Sequence, residues 1–263
     1  MRIQKRKKNR FVYGLGICVL LILTWTGVSR AAEEPIQLKL AGSTIKISTF
    51  YNGTTLDVTG SVHKDADVVL LVSGPKKDVH LKVKGKVAGI LWMNKTDVSL
   101  ENIPAVYMVY TPAGTGDNLL RPELGIGYKA LTGGIAIRPE STDKEFVFAE
   151  YVKLMEQSGV YAVHRDAIKY GETSNDQTNF TATLIIPSKM SAGSYRVEAV
   201  AIQNGKVLGR TGKELSLELA GLPKTIADLA FGSPLLFGIM AVFIAIATGL
   251  IIGVLFKGGG GSH

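Results

Sequence analysis

Two long apolar runs lie near the ends of the chain, and shorter alternating runs lie between them. The second long run, Leu235 to Phe256, holds no charged residue over 22 positions. At 1.5 Å per residue a helix of this length spans about 33 Å, enough to cross the roughly 30 Å hydrocarbon layer of a bilayer. The pattern therefore predicts a membrane-spanning helix at residues 235–256, with the lipid bilayer as a partner. Residues 257–263 are predicted to be a short cytoplasmic end carrying the remnant of a linker and tag.

The first apolar run, Phe11 to Val28, follows a basic stretch and precedes the small residues Ser29 and Ala31. A basic region, an apolar core and a small-residue cleavage site are the three parts of a secretory signal. Residues 1–31 are therefore predicted to be a signal peptide cleaved after Ala31. The alternative is an uncleaved amino-terminal anchor, and both readings predict that the following segment is exported.

Between the two runs, residues 36–111 alternate between apolar and polar positions and are interrupted by turn residues. A period of two is typical of half-buried antiparallel strands. The predicted strands are Ile36 to Leu40, Thr44 to Phe50, Thr55 to Val62, Val68 to Ser73, Val79 to Val83, Ala88 to Met93, Val98 to Leu100 and Val106 to Tyr110. Short strands at this spacing predict a β-sandwich over residues 32–112.

Residues 113–159 are predicted to be a connector that contains an amphipathic helix. The first part is rich in Gly and Pro, and Thr142 to Glu145 then has the spacing of a capping box. Apolar positions at helical intervals follow until Gly159, namely Phe146, Val147, Tyr151, Leu154 and Met155.

Residues 160–222 predict a second, smaller sandwich. Phe180 to Ile186 alternates as a strand, and Asn204-Gly205 is a strong signal for a two-residue hairpin. Gly193-Ser-Tyr195 opens another alternating run and resembles the corner of immunoglobulin-like domains, where a tyrosine hydroxyl bonds to nearby backbone. The predicted fold class is mainly β, with two immunoglobulin-like β-sandwich domains, a connecting α-helix and one C-terminal transmembrane helix. Residues 223–234 are expected to be a juxtamembrane linker.

Charge is concentrated at the amino end of the chain. The formal net charge is +8, but residues 1–31 carry seven of the 30 Lys and Arg and none of the 22 Asp and Glu. Residues 32–256 balance at 22 basic against 22 acidic residues, so a basic nucleic-acid-binding surface is not expected. Cys18 is the single cysteine, so the exported body must be held together without disulfides.

No catalytic constellation is predicted in the exported body. Its histidines, His63, His80 and His164, have no ligand spacing, and a blue-copper site would lack its cysteine. A site that combines His80 with Met93 or Met108 remains an alternative. Serines occur without the companion motifs of serine enzymes. We therefore expect a protein that is not an enzyme and carries no cofactor or metal.

Small residues recur every four positions along the predicted membrane helix, at Ala241, Ala245, Gly249 and Gly253. Such spacing lets another helix approach closely, because helix association in lipid depends on close packing of backbones. The predicted partner is either a second copy of the chain or a polytopic membrane protein. The alternative is a chance recurrence, since Gly and Ala are common in membrane helices.

Lysines alternate with apolar residues on one predicted strand, at Lys82, Lys84 and Lys86. They could contact an anion or an acidic lipid headgroup. The favoured alternative is a solvated strand face that also discourages edge pairing. Trp92, close to the same stretch, is expected to pack in the core rather than to face a partner.

With these residues in view, the chain resembles a family of transmembrane proteins first described from alphaproteobacteria (Alph_Pro_TM). The resemblance rests on the order of several short stretches along the chain. They are Phe50 to Gly53, Leu56 to Gly60, Val68 to Pro75, Val87 to Trp92 with Asn94, Leu124 to Gly127 with Ala130 and Leu131, Gly193 to Tyr195, and Pro234 to Gly238. The resemblance implies an exported, singly anchored protein, often encoded beside permeases similar to the TauE/SafE exporters of sulfite and organosulfonates.

Three functions are compatible with the sequence. The first is an accessory subunit of such a permease, anchored in the bacterial inner membrane with its bulk in the periplasm and its C-terminus in the cytoplasm. The second is a periplasmic module that binds a ligand or metal between the two sandwiches, near Tyr128 and His164. The third is a structural envelope protein that self-associates through its membrane helix.

Overall fold

The computed structural model describes residues 35–87, 90–114 and 116–257, so the predicted signal peptide at 1–31 and the tail at 258–263 lie outside it. The strands are β1 (Ile36–Leu40), β2 (Thr44–Ile47), β3 (Thr54–His63), β4 (Asp67–Ser73), β5 (Lys76–Val87), β6 (Leu91–Pro104), β7 (Tyr107–Pro112), β8 (Ala136–Arg138), β9 (Tyr161–Ser174), β10 (Gln177–Ile186), β11 (Gly193–Gln203) and β12 (Lys206–Leu219). The helices are α1 (Gly116–Leu119), α2 (Tyr128–Leu131), α3 (Lys144–Gln157), α4 (Leu222–Gly232) and α5 (Pro234–Lys257), with 3₁₀ turns at Pro122–Leu124 and Thr132–Gly134.

Within the described residues, nine strands form one sheet in the order β1-β3-β10-β9-β7-β4-β11-β12-β2. Neighbouring strands are antiparallel, except that β7 with β9 and β12 with β2 are parallel. β1 also lies against β11 and β12, far from it in the strand order, so the sheet curls on itself.

The mainly β class with one C-terminal apolar helix is confirmed, but the strands do not divide into the two predicted sandwiches. Strands from residues 32–112 and from residues 160–222 interleave: β3 pairs with β10, β4 with β11, and β7 with β9. The described residues from Pro35 onward accordingly form one compact unit. Alternation shows which face of a strand is buried but does not specify which strand pairs with it. The pairing therefore could not be predicted from the pattern.

The core lies around the central strands of the main sheet. Val68 to Val72 in β4 are five consecutive buried apolar residues, and all of Tyr107–Pro112 in β7 is buried. Strands covered on both faces have continuous apolar runs, whereas β10, nearer the edge, alternates between buried and exposed positions. The centre of the curled sheet therefore holds the most apolar strands.

One strand of the main sheet, β9, was missed by the sequence prediction. Its alternation is interrupted at Asp166, which has a left-handed backbone with φ 57°, and its register with β7 shifts between Tyr110 and Pro112. An irregularity of this kind breaks the period of two that identifies a strand. β9 nevertheless joins the two halves of the sheet, since β10 lies on one side of it and β7 on the other.

The smaller sheet is a long hairpin, β5 and β6, with β8 added at the edge of β6. Residues 88 and 89 of the predicted strand Ala88 to Met93 lie outside the described residues, and Leu91 to Met93 begin β6. Val98, Leu100 and Ile103 of β6 are buried, so the base of the hairpin belongs to the core.

The predicted connector helix is confirmed as α3, although its cap and its buried face differ from the prediction. Asp143, rather than Thr142, caps the helix, because its carboxylate accepts a hydrogen bond from the Phe146 N–H at 3.0 Å. α3 buries Val147, Phe148, Tyr151 and Val152. Phe146 and Leu154, predicted for the buried face, are about half exposed at 55% and 48%.

Two turns predicted from short motifs are confirmed. The Tyr195 hydroxyl donates to the Ser191 carbonyl at 2.7 Å, at the entrance to β11, which is the corner expected from Gly193-Ser-Tyr195. Asn204 and Gly205 join β11 to β12, and both have positive φ, as a type I′ hairpin turn requires.

The C-terminal part contains two helices. The predicted span at 235–256 is confirmed as α5, and the predicted linker at 223–234 is replaced over most of its length by α4. The stretch was predicted to be a linker because it is a short segment between the last strand and the membrane helix. Proline is tolerated in the first turn of a helix, where its missing N–H has no partner to lose.

Candidate functional site

The membrane-spanning helix α5 is the most distinctive functional feature of the chain. Residues Pro234–Phe256 are long and apolar enough to cross a bilayer, and none of this stretch is buried against the rest of the described chain. A helix that is apolar on all sides and has no protein around it requires lipid or a partner as its environment.

The four predicted helix-packing residues lie together on this helix. Ala241, Ala245, Gly249 and Gly253 form one inclined stripe, and each is exposed. A Cβ atom placed on Gly249 or Gly253 would meet nothing within 4 Å in the described chain. The stripe therefore has no intramolecular occupant among the described residues, and helix packing stays a prediction.

The predicted anion-contact lysines lie on the β5–β6 hairpin. Lys82 and Lys84 are exposed, whereas Leu81 and Val83 between them are partly buried against the core. Lys82 lies opposite Asp97 on β6, and opposite charges in register reduce the local positive potential. The backbone of Lys86 pairs with that of Trp92, but the side chains of these two residues lie outside the described part. Anion contact stays a prediction.

The residues considered for metal binding are dispersed in the fold. His63 contacts the Lys64 carbonyl at 2.6 Å, His80 is exposed on β5, and Met93 is 53% exposed while Met108 is buried. Among the residues that the structure describes, no group of three or more His, Cys, Asp and Glu side chains is arranged to hold a metal ion.

Tyr128 and His164 do not face each other across a cleft between two sandwiches, because the sheet is shared. His164 stacks on Tyr110, with ring centroids 4.5 Å apart. Tyr128 instead stacks on Tyr161, three residues before His164 on β9. The two predicted ligand contacts thus belong to separate aromatic groups along the β7–β9 pair.

A cluster of four tyrosines lies where α2 and α3 cover the start of β7 and β9. Tyr161 has ring centroids at about 6 Å from those of Tyr107, Tyr128 and Tyr151. The Tyr161 hydroxyl donates to the Pro104 carbonyl at 2.7 Å, and the Tyr107 hydroxyl accepts from the Gly127 N–H at 3.1 Å. The bond from Tyr161 joins β9 to the end of β6, and the bond from Gly127 fastens the connector to β7.

Two hydroxyls of this cluster, those of Tyr128 and Tyr151, are buried and have no hydrogen-bond partner among the described residues. Burial raises the pKa of Tyr128, and the nearby Glu156 carboxylate raises it further. Burial also raises the pKa of Tyr161. The cluster therefore presents neutral phenols at physiological pH and no phenolate that could act as a nucleophile or base.

An open groove of about 600 Å³ lies at the edge of the curled sheet, between β2, the following loop and the start of β3. Phe50 at its rim is 94% exposed. The carboxylate of Asp57 in the lining already accepts from the Thr183 hydroxyl at 2.8 Å. None of the predicted site residues lines this groove.

One protein family matches most of the chain. The family described as "Putative transmembrane protein (Alph_Pro_TM)" matches residues 35–258, which covers the whole β-rich body and the apolar helix. The chain belongs to this family. No curated protein matches the chain.

Membership in this family, together with α5, supports localisation of the chain in a membrane. Several stretches that carry the resemblance have visible structural roles. Tyr195 forms the corner bond described above, and Gly60 lies where β1 and Phe180 approach the backbone of β3 too closely for a side chain. Pro234 begins α5 at the position where the apolar stretch starts.

Sequence reasoning missed the apolar surface of α4, although the signal was present. Leu222, Ile226 and Leu229 recur at i, i+4 and i+7, the spacing of one helix face. The exposed Phe50 was assigned to the end of a strand and lies in a loop instead. Neither the apolar residues of α4 nor Phe50 carries a functional group that would mark a site in the sequence.

Stability is expected to fall with acidification partly through His164. Burial lowers the pKa of His164, so the fold favours the neutral ring. This contribution is complete above the unfolded value near 6.5 and is lost as pH falls through the lower folded value. In His164→Phe, which keeps an aromatic ring on Tyr110, the thermal midpoint should fall less between pH 7.5 and 5. We expect a difference below about 3 °C, since the ring is only partly buried. An equal fall of the thermal midpoint between pH 7.5 and 5 in both proteins would contradict this role.

Proposed function

We propose that this chain is a non-enzymatic accessory subunit of an inner-membrane permease that resembles the TauE/SafE anion exporters. In this proposal the β-rich body lies in the periplasm and α5 holds it at the external mouth of the permease. The observation that carries the proposal is the stripe of Ala241, Ala245, Gly249 and Gly253, which has no occupant in the described chain.

The physical basis is the way helices associate in lipid. Lipid tails are as apolar as leucine, so burial of apolar side chains gives little drive for association, and close packing across small residues becomes decisive. Gly249 and Gly253 leave the backbone of α5 open over one turn. A second helix can therefore approach at this position and make extensive backbone-level contacts.

The proposed orientation follows from the flanks of α5. Lys257 follows the span, which agrees with the preference for basic residues on the cytoplasmic side, and on the other side Lys224 is paired with Asp228 at 3.0 Å. A periplasmic body is also compatible with the predicted export signal and with the lack of cysteine after residue 31.

Leucine at both Gly249 and Gly253 is expected to abolish co-purification with the permease. The two side chains would fill the stripe and separate the helices, while the apolar character needed for membrane insertion is kept. Losing about 1.4 kcal/mol or more of packing lowers the association constant at least tenfold. The measurement is recovery of partner proteins with full-length chain from native membranes.

The matched control is Ala247→Leu, which adds leucine on the opposite side of the same helix. It should leave recovery unchanged, so a loss confined to the glycine variant assigns the effect to the stripe. Unchanged recovery of a permease with both leucines would overturn the proposal. Crosslinked dimers of the isolated chain in detergent, lost in the glycine variant, would favour self-association instead.

A further inference from the structure

We infer that α4 lies flat in the lipid–water interface, with Leu222, Ile226 and Leu229 against the acyl chains and Lys224 and Asp228 toward water. The inference rests on the membrane span itself and is independent of any permease partner. It adds a second membrane contact, along the surface, to the contact that α5 makes across the bilayer.

Local sequence explains why α4 is a helix. Gly221, two residues after the end of β12, precedes the helix with a positive φ of 63°, and Pro223 lies in the first turn. One turn further, Lys224 and Asp228 form an i,i+4 ion pair at 3.0 Å. Such a pair supports a helix of modest length and occupies one side of it.

The other side of α4 is an apolar stripe with little protein cover, in which only Leu229 is partly buried. Leu222 and Ile226 are 61% and 49% exposed, and α4 has no buried residue. Packing against the sheet would have hidden these side chains, as it hides Val147 and Phe148 of α3. A helix with one apolar face and one polar face is the form that binds along a membrane surface.

The junction with α5 fixes the depth of α4 in the membrane. Ser233 has φ −144° and ψ 66°, outside the helical region, as expected for a residue that precedes proline. The helical ladder therefore ends at Ser233 and a new one begins at Pro234, so the two helices can point in different directions. Because α5 starts to cross the apolar layer at this residue, the end of α4 lies at the membrane boundary.

The exposed side chains at the junction agree with lipid as the occupant. Leu235 is 78% exposed in the first turn of α5, and Phe231, on the side of Lys224 and Asp228, is 87% exposed in the last turn of α4, at the level of the headgroups. Aromatic and apolar residues at this depth insert among headgroups and acyl chains. The charges of Lys224 and Asp228 cancel, so a zwitterionic surface suffices.

The test measures the depth of two positions on opposite sides of α4. Full-length protein with Cys18 replaced by Ser carries a single nitroxide label at Ile226→Cys or, as the matched control, at Lys224→Cys. Both proteins are reconstituted in phosphatidylcholine vesicles, and collisions of the label with oxygen and with a water-soluble nickel chelate are compared. Both replaced side chains are exposed, so labelling should leave the fold intact.

We expect the label at position 226 to collide with oxygen and to be shielded from nickel, at a depth of about 5–10 Å below the headgroups. The label at position 224 should be accessible to nickel. Equal nickel access at both positions would overturn the inference, because α4 would then be in water. Shielding of position 226 from both reagents would also overturn it, because protein rather than lipid would cover the stripe.

Discussion

Residues 160–222 expressed alone are expected to remain unfolded, without the cooperative thermal transition of an independent domain. Each of the four strands in this segment except β12 borders a strand from residues 54–112: β10 borders β3, β9 borders β7, and β11 borders β4. Removing residues 54–112 exposes Val197, Ala199 and Val200 of β11, which are fully buried in the intact chain. The remaining hairpins have too little buried apolar surface to offset the chain entropy lost on folding.

The fragment 35–221 is the control for this experiment, since it keeps every strand of the main sheet. It should show one cooperative transition by circular dichroism and by tyrosine fluorescence, with coincident midpoints. Two separate transitions in the control, or a folded 160–222 fragment, would show that the chain has two independent domains after all. The outcome therefore distinguishes one shared sheet from two sandwiches.

Gly60→Ala is expected to lower the free energy of unfolding by about 3 kcal/mol, at the upper end of overpacking effects in cores. A Cβ atom at Gly60 would overlap both the backbone carbonyl oxygen of Gln37 and the ring of Phe180. Phe180 is 1% exposed and Gln37 is held in β1 by its pairing with Ser61, so neither neighbour can move freely. In a unit of this size the thermal midpoint should fall by about 6–12 °C.

Gly171→Ala is the matched control, because Gly171 also lies in a strand of the main sheet. A Cβ atom there would meet Asn179 at 3.8 Å, an ordinary van der Waals distance. The control should unfold within a degree or two of the parent protein. Thermal unfolding of the full-length variants by circular dichroism gives the comparison, and an unchanged midpoint for Gly60→Ala would contradict the close approach of β1 and β10 across β3.

Much of the candidate site was predictable because membrane helices are encoded locally. The span at 235–256 and its small residues follow from composition alone, since no tertiary contact is needed to make 22 apolar residues insert. The signal for α4 was equally local, because Leu222, Ile226 and Leu229 have the spacing of one helix face. The segment was nevertheless predicted to be a linker. That no described residue covers the small-residue stripe on α5 could be learned only from the folded structure.

The aromatic groups near α2 and α3 could not be predicted as groups. Tyr107 and Tyr161 are 54 positions apart in the chain and meet because β7 and β9 pair in parallel register. A parallel pair needs a long connection, and the sequence of that connection gives no sign of where it returns. His164 was considered as a ligand contact because its neighbour in the fold, Tyr110, could not be identified from the sequence.

The sequence by itself determined the mainly β class, the membrane span, the hairpin at Asn204-Gly205 and the corner at Tyr195, because periodicity and turn chemistry act within a few residues. The tertiary structure alone decided that strands from both ends of the body form one sheet, that β1 and β2 lie at its opposite edges, and that β9 closes the gap between its halves. Strand alternation specifies which face of a strand is buried but not which strand lies beside it. Strand pairing is therefore decided by the packing of the whole core.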